Sequence, residues 1–286
     1  MKKEKDKCTA ALTFHYKNGY KGVFMMNIEK YYKYTAISSL NASLISCIPL
    51  FLFIGIFLLN HSSITFLYLL VPFAMYSVIC FCQFYLHKQR LEKMDNFFSV
   101  GQARSILKSN TVVLSFLPAP SLRMIVFDRE GQEIGEIKDE KFSVIRWYLP
   151  FLFDRFYTKS YGFYNTQGDL QYVFTLKRDR IDIQNKDKKI ISRILEIKTE
   201  KRLVNQFLYG EDTIIMKKTF GHMEYQFEQE DGHKLAQLRK GWMPKEWAKR
   251  FQDPNLPLLT IDHHASDKEV IHLYAILTKL FAYTNH

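Results

Sequence analysis

Between Lys33 and Lys88 the chain carries no Asp, Glu, Lys or Arg. A charge-free run of that length is too long for one helical crossing of a bilayer and about right for two. A hydrocarbon core of about 30 Å needs roughly 20 apolar residues in a helix. The run divides at its most polar break, Asn60-His61-Ser62-Ser63, into spans predicted at 39–59 and 64–86. Each holds about a dozen Leu, Ile, Val or Phe. At about −0.4 kcal/mol per central residue, insertion of each is favoured by on the order of 5 kcal/mol before smaller polar costs.

Two uncharged core helices back to back would be unusual in a soluble domain of this size. A cleaved leader fits poorly, because the preceding segment is long and mixed in charge and no A-x-A-like site follows. Lys17, Lys21, Lys30 and Lys33 precede the first span, Lys88, Arg90 and Lys93 follow the second, and the turn between them has no cation. The positive-inside rule therefore predicts a multi-pass protein of the cell membrane with both termini cytoplasmic. Ser39, Ser43, Ala42 and Ser46 give the first span a face of small side chains, the type that allows close helix approach in lipid. Ala74 and Ser77 are the candidate partners on the second. Pro49 and Pro72 fall inside the predicted spans, where prolines kink helices. His61 and His87 sit at the span edges, so no ionisable path crosses at membrane depth, and an anchor is expected rather than a channel.

The net charge is +11. The first 38 residues contribute +5 and the part after the hairpin +6. Cations beside an anionic leaflet explain that excess, whereas no helix-turn-helix, zinc finger or dense Arg/Lys run points to nucleic acid. Cys8, Cys47, Cys80 and Cys82 fit neither a disulfide framework nor a zinc spacing.

Asn18-Gly19 centres a predicted β-hairpin at 10–26, expected to join a later sheet. The segment Glu29-Lys30-Tyr31-Tyr32-Lys33-Tyr34 mixes cations and tyrosines as a membrane interface does. A helix and linker are expected over 87–110. From residue 111 onward short strand-like runs (111–117, 121–127, 172–176, 189–197, 213–220 and 222–228) alternate with polar turns, the pattern of a barrel or sandwich. A unit recurs there: an aromatic strand end, a polar turn closing on glycine, and a restarting strand. It begins at Phe127 (Gly131), Tyr164 (Gly168) and Phe227 (Gly232), and residues 185–189 fill the same slot without glycine. Glycine at such turns takes a backbone conformation that other residues resist. Ser266-Asp267-Lys268-Glu269 reads as a capping box. The helix it opens, about 267–283, is apolar around nearly its whole circumference. It is too short to span a membrane and is expected inside the barrel.

A β-domain of glycine-turn hairpins ending in a short apolar helix resembles the tubby C-terminal superfold, shared by tubby-like, LURP-one-related and scramblase proteins. The aromatic-to-glycine turns, the Leu258-Leu259-Thr260-Ile261-Asp262 run and the helix from Val270 carry the resemblance. It implies a closed antiparallel barrel, at 111–286, surrounding the C-terminal helix. In some members of that superfamily it also implies phosphoinositide binding or lipid remodelling. The expected fold is thus a two-span α-helical membrane hairpin plus a mainly-β, tubby-like barrel domain.

Asp262-His263-His264, with Asp267 and His272, is the one cluster suited to metal binding or hydrolysis, but the further Asp-rich motifs of a DHH phosphoesterase are missing. No phosphate loop or nucleophile elbow occurs. Arg239-Lys240-Gly241-Trp242 and Lys245-Glu246-Trp247-Ala248-Lys249-Arg250 combine cations with indoles, as at a headgroup interface, or as a solvated helix whose tryptophans pack on the barrel. Residues 147–153 (WYLPFLF) fit a bilayer dip and a place in the core equally. The expected function is non-enzymatic, without cofactor or metal: a membrane-anchored domain contacting anionic lipid or a membrane-protein partner. The expected surface contacts are Lys30, Lys33, Lys88, Arg90, Arg239, Lys240, Trp242, Trp247, Lys249 and Arg250. A scramblase-like activity, and after it a hydrolase using His263 and His264, are the alternatives.

Overall fold

The computed structural model describes residues 26–60, 68, 70–94, 105–119, 121–140, 159–198, 203–219, 224–241 and 243–283. Helix α1 (Ile28–Asn60) and helix α2 (Val71–Glu92) precede a short 3-10 turn at Ile106–Lys108. Twelve strands follow: β1 (Thr111–Phe116), β2 (Arg123–Phe127), β3 (Glu133–Asp139), β4 (Lys159–Asn165), β5 (Leu170–Leu176) and β6 (Arg180–Asn185), then β7 (Ile190–Lys198), β8 (Val204–Tyr209), β9 (Asp212–Lys218), β10 (Glu224–Gln229), β11 (Lys234–Arg239) and β12 (Leu258–Ile261). A single helical turn, α3 (Lys245–Ala248), precedes β12, and α4 (Asp267–Tyr283) follows it.

The strands form a closed up-and-down antiparallel barrel. Its seam pairs Thr111 with Thr260, Val112 with Leu259 and Val113 with Leu258. Closure leaves none of the described strands with a free edge for other chains to pair with. The recurring sequence unit has one geometry. In the turns at 128–132, 165–169, 185–189 and 229–233 the amide of the fourth residue bonds the first carbonyl, and the first amide bonds the fifth carbonyl. A bulge lies beside each turn. The fourth residue is left-handed in all four: Gly131, Gly168, Lys188 (φ 61°) and Gly232. This is the three-residue hairpin loop with a bulge, and Lys188 occupies it against the preference of a side chain-bearing residue. Asn165 and Asn185 reinforce their turns by accepting two backbone amides each through Oδ1.

Helix α4 fills the barrel. Val270, Leu273, Tyr274, Ala275, Ile276 and Leu277 are buried among inward-facing residues of the wall. The expected capping box is present: the Ser266 amide and hydroxyl both donate to Glu269 Oε2 at 2.7 Å. At the other end of α4, Lys279 Nζ lies 2.6 Å from Glu196 Oε2 and donates to the Arg178 carbonyl at 3.1 Å.

β1 and β2 read as unbroken apolar runs because both their faces are covered. Val112, Leu114, Met124 and Val126 face α4, while Val113, Ile125 and Phe127 face a second core with Ile28, Tyr31, Tyr32, Phe251 and Leu256. The first helix therefore begins at Ile28 rather than at 39, because its first two turns pack on the barrel. Tyr31 and Tyr32, expected at a membrane interface, are instead buried against this wall. Pro72 stands in the first turn of α2, where it starts the helix rather than kinking it. Helix α2 runs to Glu92, and residues 95–104 of the segment expected as helix and linker lie outside the described residues. So do most of the predicted 10–26 hairpin and the WYLPFLF run. The chain at Asn27 does pair antiparallel with Gln132.

Candidate functional site

Helices α1 and α2 form an antiparallel hairpin: Phe53 stacks near Phe73, Ser43 meets Ser77, and Tyr32 meets His87. The seam is polar. The Ser43 and Ser77 hydroxyls are 3.1 Å apart, Cys47 Sγ lies 3.3 Å from Ser77 Oγ, and Ser39, Ser43 and Ser46 are buried. The outside is apolar, with Leu44, Ile45, Phe51 and Leu59 exposed on α1 and Met75, Val78 and Tyr85 on α2. In a hairpin folded in water those positions would be reversed. From Ile37 to Leu59 α1 rises about 33 Å, and it is long and apolar enough to cross a membrane. Among the described residues α2 is not long and apolar enough by itself. Its apolar part, from Val71 to Leu86, rises about 23 Å, and the residues before it are largely outside the described set.

The hairpin is tied to the barrel where α1 begins. The Ile28 amide donates to the Gly131 carbonyl at 2.9 Å, and a Cβ on Gly131 would stand 2.7 Å from Ile28 Cγ2. Tyr31 Oη donates to the Phe116 carbonyl, and the Asp253 amide donates to Tyr32 Oη. Arg90 on α2 pairs with Asp253 at 3.0 Å. The Met26 amide donates to Glu133 Oε2 at 2.7 Å. Burial pushes the Glu133 carboxyl up to about 7, with a smaller push from Glu136, against the pull of the Met26 amide.

The predicted contact residues divide. Lys30, Lys33, Lys240 and Lys249 are exposed. Lys88 is paired with Glu92 at 3.8 Å, and Arg239 with Glu224 at 3.1 Å. Arg250 donates to the Arg129 carbonyl, and Trp247 packs on Phe251, so these two face the barrel as a solvated helix would have them. Trp242 lies outside the described residues. The histidine cluster is not brought together. His263 bonds Asn110, Asp262 pairs with His233 at 3.3 Å, and His264 is exposed. His272 is buried in the barrel, bonded to Ser192 at 2.8 Å and stacked 4.2 Å from Tyr209. Burial, then Lys268, lowers its pKa to about 4, so it is a neutral core group. Among the described residues no group of three or more His, Cys, Asp or Glu could hold a metal ion.

Sequence reasoning missed the Asp182 cluster on the outer wall. Its carboxylate, 3 % exposed, is flanked by Lys177 at 2.8 Å and by Arg180 and Arg193 at 3.5 Å. Only the register of β6 and β7 brings Arg193 beside Asp182. It also missed an exposed apolar strip on β7, formed by Ile191, Leu195 and Ile197.

No family model matches the chain, and no curated protein matches it. A solved structure of the Arabidopsis thaliana protein AT5G01750 is similar over 64 % of this chain and 99 % of its own length, at 9 % identity and a TM-score of 0.41.

Proposed function

We propose that this chain is a membrane-anchored, non-enzymatic binding module. Its two helices cross the bilayer as a hairpin, and the barrel works at the cytoplasmic face, with both termini on that side. The observation that carries the reading is the inverted hairpin, with hydroxyls and a thiol inside and Leu, Ile and Phe outside. Lipid is the solvent that such a surface fits. The barrel interior is occupied by α4 rather than open to a substrate, which favours binding on the outer surface. The chemistry offered there is cationic, so anionic lipid headgroups are the partner proposed, and a membrane protein is the alternative. The resemblance to tubby-like domains agrees with the closed barrel around a terminal helix.

The test is fractionation of the full-length chain. It should stay in the membrane pellet after alkaline carbonate and need detergent for release, and terminal reporters should both read cytoplasmic. A product soluble without detergent, or a terminus exposed outside, overturns the reading. Reconstitution with labelled lipid separates simple binding from lipid movement.

A further inference from the structure

Up-and-down connectivity sends the β1–β2, β5–β6, β9–β10 and β11–β12 connections to one end of the barrel and the tight turns to the other. The two ends differ in sign. At the first, Lys177-Arg178-Asp179-Arg180 carries a net +2, and Lys218 and Lys240 add one positive charge each, while Lys217 and Arg239 are paired with Glu228 and Glu224. At the second, Asp128-Arg129-Glu130 carries −1, Gly210-Glu211-Asp212 −2 and Gln229-Glu230-Asp231 −2. Asp139-Glu140 and the 185–189 turn run against the trend without reversing it, and Lys188 of that turn is paired with Glu140 at 3.1 Å. The positive charge is densest where Lys177, Arg180 and Arg193 share the single carboxylate of Asp182.

Helix α1 points the same way. Ile28 is bonded to Gly131 in a turn of the acidic end, and Tyr31 reaches the carbonyl of Phe116 toward the basic end. Past Ala36 the helix leaves the wall, with Ile37 exposed.

We propose that the barrel stands end-on at the membrane, its Lys177–Arg180 end against anionic headgroups and its acidic turns directed away. This rests on the anchoring proposed above and goes beyond it, because an anchor alone leaves the barrel free to tilt. A cation near an anionic leaflet strengthens binding about fivefold, and the field decays within about 8 Å at physiological salt. Only the loops of one end can therefore feel it, and the opposite sign on the other end repels the inverted pose. The partner is a charged bilayer surface rather than a free anion.

The experiment is hydrogen exchange on the full-length chain in nanodiscs of phosphatidylcholine alone or with about a third phosphatidylglycerol. The 177–180 turn is expected to exchange about fivefold more slowly in the anionic discs. The difference should vanish in 0.5 M NaCl and be absent at 210–212. Lys177→Gln with Arg178→Gln should abolish it, as Lys217→Gln with Lys218→Gln should weaken it, whereas Glu230→Gln with Asp231→Asn should not. Equal protection in neutral discs, protection at the 210–212 end, or protection reproduced in neutral discs by millimolar inorganic phosphate overturns the proposal. Carbonate extraction of the same chain separates the two failures. A chain that is extracted removes the anchoring and this orientation together, and a retained chain without anionic protection removes the orientation alone.

Discussion

Replacing Lys279 by Ala should unfasten α4 from the barrel. Its ammonium is buried, 8 % exposed against 13 % for Glu196, and has two partners, the Glu196 carboxylate and the Arg178 carbonyl. Removing one member of a buried pair costs about 3–5 kcal/mol, because the other charge is left uncompensated. Here Glu196 keeps the Asn205 amide at 3.2 Å, which places the expected loss near the lower figure, about 3 kcal/mol. For a domain of this size each kcal/mol lowers Tm by about 2–4 °C, so the shift is about 6–12 °C. Near-UV circular dichroism of the full-length chain in detergent reads it directly. The double variant Lys279→Met with Glu196→Leu replaces the pair by apolar groups of similar size and should recover at least 1 kcal/mol relative to the sum of the singles. A Lys279→Ala shift below 2 °C, or strictly additive losses in the double variant, would refute the argument that this pair holds the helix.

Lys188→Gly relieves the one left-handed non-glycine residue among those described and should stabilise the barrel by about 0.5–1 kcal/mol, read as a higher Tm. Gly131→Ala meets both the positive φ and the 2.7 Å approach to Ile28. It should cost more than Gly168→Ala, which meets the φ alone, by at least about 1 kcal/mol, in the same melts. Glu133 titrates near 7 in the folded chain, above its unfolded value, so the native state holds the extra proton between about pH 4.5 and 7. Its contribution is present at low pH and is lost as pH rises to 7, by on the order of 3 kcal/mol. Glu133→Gln should therefore raise Tm at pH 8 more than at pH 5, and an equal shift at both would contradict the assignment. Ser77→Cys should cross-link to Cys47 under mild oxidant in membranes, giving a mobility shift on reducing against non-reducing gels. No cross-link would mean a different hairpin register.

The chain itself dictates where charge is absent, where glycine turns recur and which helix is apolar on every side. Those are local facts: a charge-free run, a polar turn closing on glycine after an aromatic strand end, and a Ser-x-x-Glu cap act through neighbours in sequence. They made the hairpin seam at Ser43 and Ser77, the barrel and its filling helix legible. Other features depend on which distant segments meet. Tyr31 and Tyr32 read as interfacial because cation-tyrosine mixtures suit headgroups, but closure of β1 on β12 builds a wall that buries them. Asp262, His263 and His272 are close in sequence, yet the start of α4 carries His272 into the barrel and leaves the others at its mouth. The sorting of basic and acidic turns to opposite ends also follows only from the alternating direction of the strands. Charge sign along a sequence is one-dimensional, and strand count and register decide the face on which each charge is set.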